Sequence, residues 1–556
     1  MPGVGEPIPG VVYPPEARLR RYLAAGELPE IGLADALIRA FALHAGRTAL
    51  HTPEGDVTYA ELDARTDRLA AGFWRLGLQP LDRVLLQAGN CKETIYALIG
   101  CLKAGLIPVC TLPAHREREI AYLGCHVDAR AEIVQDGDPN FDLVAFAQSM
   151  QARIPTLRHI ISLRGAPREG VVRLEDLMET ADVTAVRDFA RDPFQAAIFQ
   201  LSGGTTSIPK VIPRMSNDYL LNMQRTAEWM GFRPDDVMFM PMPMVHNACL
   251  VCFLGPTLLS GAAFAIPRDM TPAGWGEVFS RARPTFVGLI RVLLPRLEAL
   301  IDARLATIDS VRAFWSPDGA RVVRETFGRP CYAMFGMSEG LNMYTRPEDS
   351  DDVIDGTVGR PISACDEVRL VEPGTEREVG FDEPGELTCR GPYTICGYYN
   401  APDRNREAFT SDGFYRSGDV MIKRLVNGET IYAFAGRAKD VVSRGHEKVN
   451  CEELESAVAA HPAVADCAVV GMPDAKLGER ICAYVVVKPG APAPDVAALG
   501  EHLRGFGLAK FKWPERIELV EGLALTKVGK LDKAAMRADI ARKLAEEGKS
   551  KASSAF

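Results

Sequence analysis

Apolar and polar positions follow two rhythms along this chain. Between Leu33 and about Asp192, stretches with helical spacing such as Tyr59 to Leu76 alternate with short apolar runs such as Arg83-Val-Leu-Leu-Gln87 and Leu106-Ile-Pro-Val-Cys110. That alternation predicts a parallel sheet covered by helices. Similar units recur from Ala196 to about Pro361, with Phe286-Val-Gly-Leu-Ile290 as a further strand. From Glu367 to Ile431 the pattern shortens to strands with glycine turns, as in a small β-rich subdomain. A boundary is expected near Arg437 to Asp440. Beyond it the chain reads as helix at Cys451–His461, strands at Asp466–Val470 and Cys482–Val487, and helix at Val496–Gly505. That is a compact α+β unit of about a hundred residues, within the normal domain range.

The expected class is therefore α/β. An arm over residues 1–32 precedes a large domain over 33–437, made of α/β subdomains at 33–192 and 193–361 and a β-rich subdomain at 362–437. A small α+β domain follows over 438–540. The proline-rich arm reads as loosely attached, and 541–556 as a frayed tail. No internal repeat is visible.

A chain of 556 residues exceeds what one core organises, and 47% hydrophobic with 25% charged residues is ordinary for a globular protein. The net charge of -9 argues against nucleic acid as a partner. The longest apolar run, Ala248 to Ile266, is broken by Gly255, Pro256, Ser260 and Gly261, so it reads as core and not as a membrane span. The start lacks the basic then apolar order of a signal peptide. A cytosolic location is expected. The 13 cysteines suggest no disulfide framework. His246, Cys249 and Cys252 have the spacing of a partial metal site, but their neighbours are apolar.

Leu201-Ser-Gly-Gly-Thr-Thr-Ser-Ile-Pro-Lys210 is the segment richest in candidate chemistry. Glycines let backbone N–H groups approach a polyphosphate, hydroxyls donate to its oxygens, and lysine supplies charge. It is not a Walker loop, and a Ser/Thr/Gly surface turn has the same composition. Gly336-Met-Ser-Glu-Gly340 fits the G-x-S-x-G nucleophile elbow, which would make Ser338 the nucleophile of an α/β-hydrolase with Asp419 and His446 or His461 as partners.

Together with Tyr332-Ala-Met-Phe-Gly-Met-Ser-Glu339, Tyr415-Arg-Ser-Gly-Asp419, Gly436-Arg-Ala-Lys-Asp440 and Thr526-Lys-Val-Gly-Lys530, the Ser202–Lys210 segment resembles the signature series of the acyl-adenylating (ANL) superfamily. The likeness runs from about Ala34 to Lys533 and is greatest to stand-alone aryl-acid AMP ligases, for 2,3-dihydroxybenzoate or salicylate, and to aryl-CoA ligases. It implies an AMP-forming acid–thiol ligase that uses ATP and Mg²⁺. A carboxylate attacks the α-phosphorus of ATP, expelling pyrophosphate, and the acyl group then passes to a thiol. A hydrolase explains neither the phosphate loop nor Lys530.

By resemblance, Ser202, Gly203, Gly204, Thr205 and Thr206 hold phosphate, and Lys210 steadies the loop or the leaving group. Glu339 is the Mg²⁺ ligand beside Gly336, Met337 and Ser338. Asp419 and Arg437 contact ribose, and Gly319 and Ala320 line the adenine slot, although Ser316-Pro-Asp-Gly-Ala320 departs from the usual glycine pair. Lys530 reaches the carboxylate and α-phosphate, and Lys439 marks a hinge. Gly445 to Lys448 faces the site for thioester formation, with His446 where many relatives have glycine.

His246, Asn247 and Cys252, with Gly340, Leu341 and Asn342, match the acid pocket. By resemblance, cysteine at position 252 accompanies salicylate and serine accompanies dihydroxybenzoate. Asn342 stands where relatives have Val or Leu, so the ring carries another polar group or the pocket is enlarged for a substituted salicylate or a naphthoate. Asn247 has the alternative of merely capping the next helix. The acceptor is expected to be coenzyme A, with a separate carrier protein as the alternative.

Overall fold

A computed structural model describes residues 3–138, 140–179, 182–202, 209–317, 319–437, 440–444, 447–474, 477–506, 508, 510–526 and 531–553. Two compact units emerge. The first comprises Met1–Ser202, Ile208–Val368 and Cys389–Tyr415; the second holds Arg369–Thr388 and Arg416–Phe556.

The α/β class holds in the first unit, which has two sheets. One is seven-stranded, in the order Val171–Arg173, His159–Leu163, Ala131–Gln135, Arg83–Gln87, Ile107–Val109, Ala196–Leu201, Val211–Met215. Its strands run parallel except for the edge pair Ala196–Leu201 and Val211–Met215, which is antiparallel. The other sheet has nine strands, and Thr48–Thr52 joins it in parallel beside Ala263–Ala265. Helix Tyr59–Arg75 shows how the pattern is realised. Thr58 and Glu61 form a reciprocal capping box at its start, and Leu62, Leu69 and Phe73 are fully buried. Each such side chain contributes about 1.5–3 kcal/mol relative to exposure.

Glu132 breaks the apolar pattern of strand Ala131–Gln135. It is fully buried, and neither carboxylate oxygen has a hydrogen-bond partner among the described residues. Burial pushes its carboxyl up to about 8.

The N-terminal segment is docked, contrary to its reading as a loose arm. Helix Glu16–Ala24 buries Leu19 and Tyr22, the Gly5 N–H donates to the Asp192 carboxylate at 2.7 Å, and the Tyr13 hydroxyl donates to Gln195 at 2.6 Å. The segment Ala248 to Ile266 folds as short helical pieces followed by strand Ala263–Ala265. Among the described residues no helix is long and apolar enough to cross a membrane.

The second unit contains the antiparallel hairpin that pairs Asp419–Val426 with Glu429–Arg437, and a five-stranded sheet centred on Gly478–Val487. Helices Cys451–Ala459 and Val496–Gly505 contribute Leu454, Val458, Leu499 and Leu503 to the core beside that sheet. Helix Lys533–Ser553 runs through the segment read as frayed. Met536 and Ile540 anchor it, and ion pairs of Lys543 with Asp539 (2.8 Å), Arg542 with Glu546 (3.0 Å) and Arg516 with Glu547 (2.7 Å) extend it.

Candidate functional site

The antiparallel edge pair of the first unit brings the two ends of the candidate phosphate loop together. The Ser202 N–H donates to the Lys210 carbonyl at 3.0 Å, and the Lys210 N–H donates to Ser202 Oγ at 3.0 Å. Gly203, Gly204, Thr205 and Thr206, like Lys439, Gly445, His446 and Lys530, lie outside the described residues. Lys210 Nζ sits 4.5 Å from the Tyr398 ring centroid and donates to its hydroxyl at 3.2 Å. That hydroxyl donates in turn to Glu339 Oε1 at 2.8 Å and lies 3.0 Å from the Tyr415 hydroxyl. Burial, and then the Glu339 charge, drive the Tyr398 phenol pKa up, so it stays a neutral donor.

Glu339 is 8% exposed. Among the described residues no cluster of three or more His, Cys, Asp or Glu side chains could cage a metal. A single, nearly buried carboxylate fits an ion such as Mg²⁺, which takes few protein oxygens and keeps water and phosphate ligands.

Arg214, four residues after Lys210, is fully buried. Its guanidinium donates to Asp218 at 3.2 Å, to the Ser338 carbonyl at 3.0 Å and to the Tyr393 carbonyl at 3.1 Å, and it lies 4.6 Å over the Tyr219 ring. It thereby holds the backbone just before Glu339. Gly340, at φ +147°, is indispensable there, since a Cβ would fall 2.6 Å from Thr394 Cα and 2.7 Å from the Tyr393 carbonyl.

The segment Gly336–Gly340 joins strands Cys331–Met337 and Gly340–Tyr344, which are antiparallel. A nucleophile elbow requires a strand-to-helix turn, so the α/β-hydrolase reading of Ser338 is overturned. Gly319 precedes helix Ala320–Phe327, and a Cβ there would meet nothing nearer than Ser316 Oγ at 3.5 Å. Packing alone does not demand that glycine.

The candidate acid-binding residues converge through two tyrosines. Asn247 Oδ1 accepts from the Tyr219 hydroxyl at 2.8 Å, and that hydroxyl accepts from Gln200 Nε2 at 3.1 Å. The Tyr344 hydroxyl donates to Cys252 Sγ at 3.2 Å and accepts from Asn342 Nδ2 at 3.0 Å. Helix Ser216–Met230 touches both groups, through Tyr219 at Asn247 and through Thr226 Oγ1 at 3.3 Å from the Tyr344 hydroxyl. Burial pushes the Cys252 thiol up to about 12, so it remains protonated. Cys252 lies in a π-helical turn, Leu250–Leu254, a distortion frequent at functional sites. Leu341 is fully buried beside this cluster's Asn342.

His246, not Asn247, caps the short helix: its Nδ1 accepts from the Ala248 N–H at 3.2 Å. Sequence reasoning missed Arg214, Tyr219, Tyr344, Tyr398 and Tyr415. Only Arg214 left a signal, as a charge inside the otherwise apolar strand Val211–Met215.

In the second unit Asp419 is 9% exposed, its N–H donates to Ser417 Oγ at 2.9 Å, and its register partner across the hairpin is Arg437. Glu452 in the same unit is pushed up to about 7, by burial first and then by the charges of Glu455, Asp419 and Asp440.

The sequence matches the AMP-binding enzyme family over residues 38–399 and the AMP-binding enzyme C-terminal domain over 453–530. It is 39% identical over 496 residues to the 2,3-dihydroxybenzoate-AMP ligase of Bacillus subtilis, covering 88% of this chain and 89% of that protein. It is 35% identical over 559 residues to the 2-hydroxy-7-methoxy-5-methyl-1-naphthoate–CoA ligase of Streptomyces carzinostaticus, covering 96% and 97%. The apo structure of Mycobacterium smegmatis MbtA superposes with a TM-score of 0.71 at 34% identity, covering 95% of this chain and 98% of that one.

Proposed function

Because the chain belongs to the AMP-binding enzymes, a family of AMP-forming acid–thiol ligases, we propose that it activates a 2-hydroxyaryl carboxylic acid of the salicylate type with ATP. A carboxylate oxygen bonds to the α-phosphorus as the bond to pyrophosphate breaks. A thiol then attacks the acyl carbon, losing its proton, and AMP leaves. We assign coenzyme A as the thiol, supported by the CoA ligase relative and by the departure at His446.

The observation that carries the acid assignment is the buried cluster of Asn247, Cys252 and Asn342 held by Tyr219 and Tyr344. It offers orienting polar atoms within an apolar surround, as small-molecule sites do. A thiol is a weak partner for a 3-hydroxyl, which favours an acid without one.

Both reactants are anionic, so catalysis here is positioning and charge neutralisation. In this reading Ser202, Thr205 and Thr206 hold the phosphates, and Lys210 lends its charge while stacked on Tyr398. Mg²⁺, when bound, neutralises phosphate charge, with Glu339 as its protein ligand. Arg214 is a positioning residue that acts through the Ser338 carbonyl. Asp419 accepts from the ribose hydroxyls beside Arg437, Gly319 and Ala320 admit the base, and Lys530 bridges carboxylate and α-phosphate.

Acid-dependent exchange of pyrophosphate into ATP, run over a panel of aryl acids and followed by addition of coenzyme A, tests this. Exchange with 2-hydroxyaryl acids and then thioester formation are expected. Lys530→Ala abolishes the exchange, and unchanged exchange rejects its role. Acylation of a carrier-protein thiol in place of coenzyme A would overturn the acceptor assignment alone.

A further inference from the structure

Helix Ser216–Met230 carries Tyr219, Asn222 and Thr226 at three- and four-residue spacing, hence on one face. Two of the three have partners in the acid cluster: Tyr219 donates to Asn247 at 2.8 Å, and Thr226 Oγ1 lies 3.3 Å from the Tyr344 hydroxyl. Asn222 stands between them, fully buried. Among the described residues neither its Nδ2 nor its Oδ1 has a hydrogen-bond partner. Asn342, 1% exposed, spends its Nδ2 on Tyr344 and leaves Oδ1 equally unanswered. That oxygen lies over Gly336, where a Cβ would come within 2.4 Å of it.

Native proteins pair their buried amides, and an unpaired one carries the full desolvation penalty. Two in one polar cluster point to a group that arrives from outside. The unmet capacity is one acceptor on Asn342 and a donor with an acceptor on Asn222. A hydroxyl answers both, because it donates once and accepts twice; an ether or a halogen donates nothing.

We propose that Asn222 and Asn342 determine specificity by receiving a second hydroxyl on the aryl ring, so that the substrate is a 2-hydroxyaryl acid with an additional ring hydroxyl at a position other than C3, the one Cys252 disfavours. The inference rests on the aryl-acid activation proposed above and names the substituent that reading left open. Asn222 joins the site residues as one to which no sequence motif points.

Pyrophosphate exchange with the full-length protein compares 2-hydroxybenzoate, its ring-hydroxylated isomers and their methyl ethers. At least one hydroxylated isomer is expected to exceed both 2-hydroxybenzoate and its own methyl ether in kcat/KM by about tenfold or more. Asn222→Leu and Asn342→Val are each expected to lower kcat/KM for the preferred hydroxylated acid about tenfold more than for 2-hydroxybenzoate, erasing the preference. Asn222→Leu does not melt below the parent, because it removes a buried amide with neither end paired among the described residues. A parent that treats hydroxylated and plain acids alike, or variants that lower both in equal proportion, would overturn the assignment while leaving aryl-acid activation intact. Absence of exchange with every aryl acid would overturn that activation, and the inference with it.

Discussion

Around Glu339, Lys210, Tyr398 and Tyr415 are joined in one continuous chain of hydrogen bonds, whereas in the neighbouring cluster Asn222 and Asn342 leave amide atoms unanswered. Both clusters are buried in the same unit, so burial is not what separates them. The first is preorganised, its donors already aimed and its reorganisation already complete. The second, under the proposal above, is completed by its ligand and so discriminates against one that leaves the amides unpaired. In the proposed reading, activation chemistry shared by every acid belongs to the first and choice among acids to the second. Glu132 is a third case, a buried carboxyl whose oxygens have no hydrogen-bond partner among the described residues, and its consequence is for stability.

The contrast is broken most severely at Arg214, whose removal leaves Asp218 buried and uncompensated. Arg214→Leu is expected to lower stability by about 3–5 kcal/mol in denaturant unfolding. Glu339→Ala should lower kcat for pyrophosphate exchange by about 10²–10³-fold while the melting temperature holds. Glu132→Gln sharpens the third case. A carboxyl raised from its ordinary value to about 8 on folding leaves stability intact below its unfolded pKa and erodes it as pH rises through about 8. The variant should therefore match the parent near pH 4 and exceed it near pH 9, by on the order of 5 kcal/mol in chemical denaturation. Tyr398→Phe, which keeps the ring beneath Lys210 but loses its hydrogen bonds, should cost about tenfold in kcat/KM. An unchanged rate would mean that the chain through Tyr398 is packing and not preorganisation.

Much of the fold was legible because periodicity survives burial. Helix Tyr59–Arg75 and strand Arg83–Gln87 fall where the pattern puts them, and helix Val496–Gly505 does so to the residue. The docked N-terminus was not legible, since its hold is Leu19 and Tyr22 on a short helix and contacts to Asp192 and Gln195 far along the chain. Ser202, Lys210 and Glu339 could be nominated from sequence because a phosphate or magnesium role would fix residue type locally, and the structure joins Lys210 to Glu339 through Tyr398. Tyr219, Tyr344 and Tyr398 were not, because a tyrosine in an apolar run looks like core until a distant partner claims its hydroxyl. Ser338 shows the opposite error: five residues spell an elbow, and only the strand on each side reveals a hairpin.

The wide turn at Leu250–Leu254 accommodates one more residue than a regular helix of the same rise would. Deleting a single residue between Asn247 and Gly255 would let this stretch relax to ordinary helical winding and swing the Cys252 sulfur away from the Tyr344 phenol. If ring selectivity resides here as proposed, it is open to change by a length mutation that leaves both amides in place, a shorter evolutionary route than remodelling them one at a time.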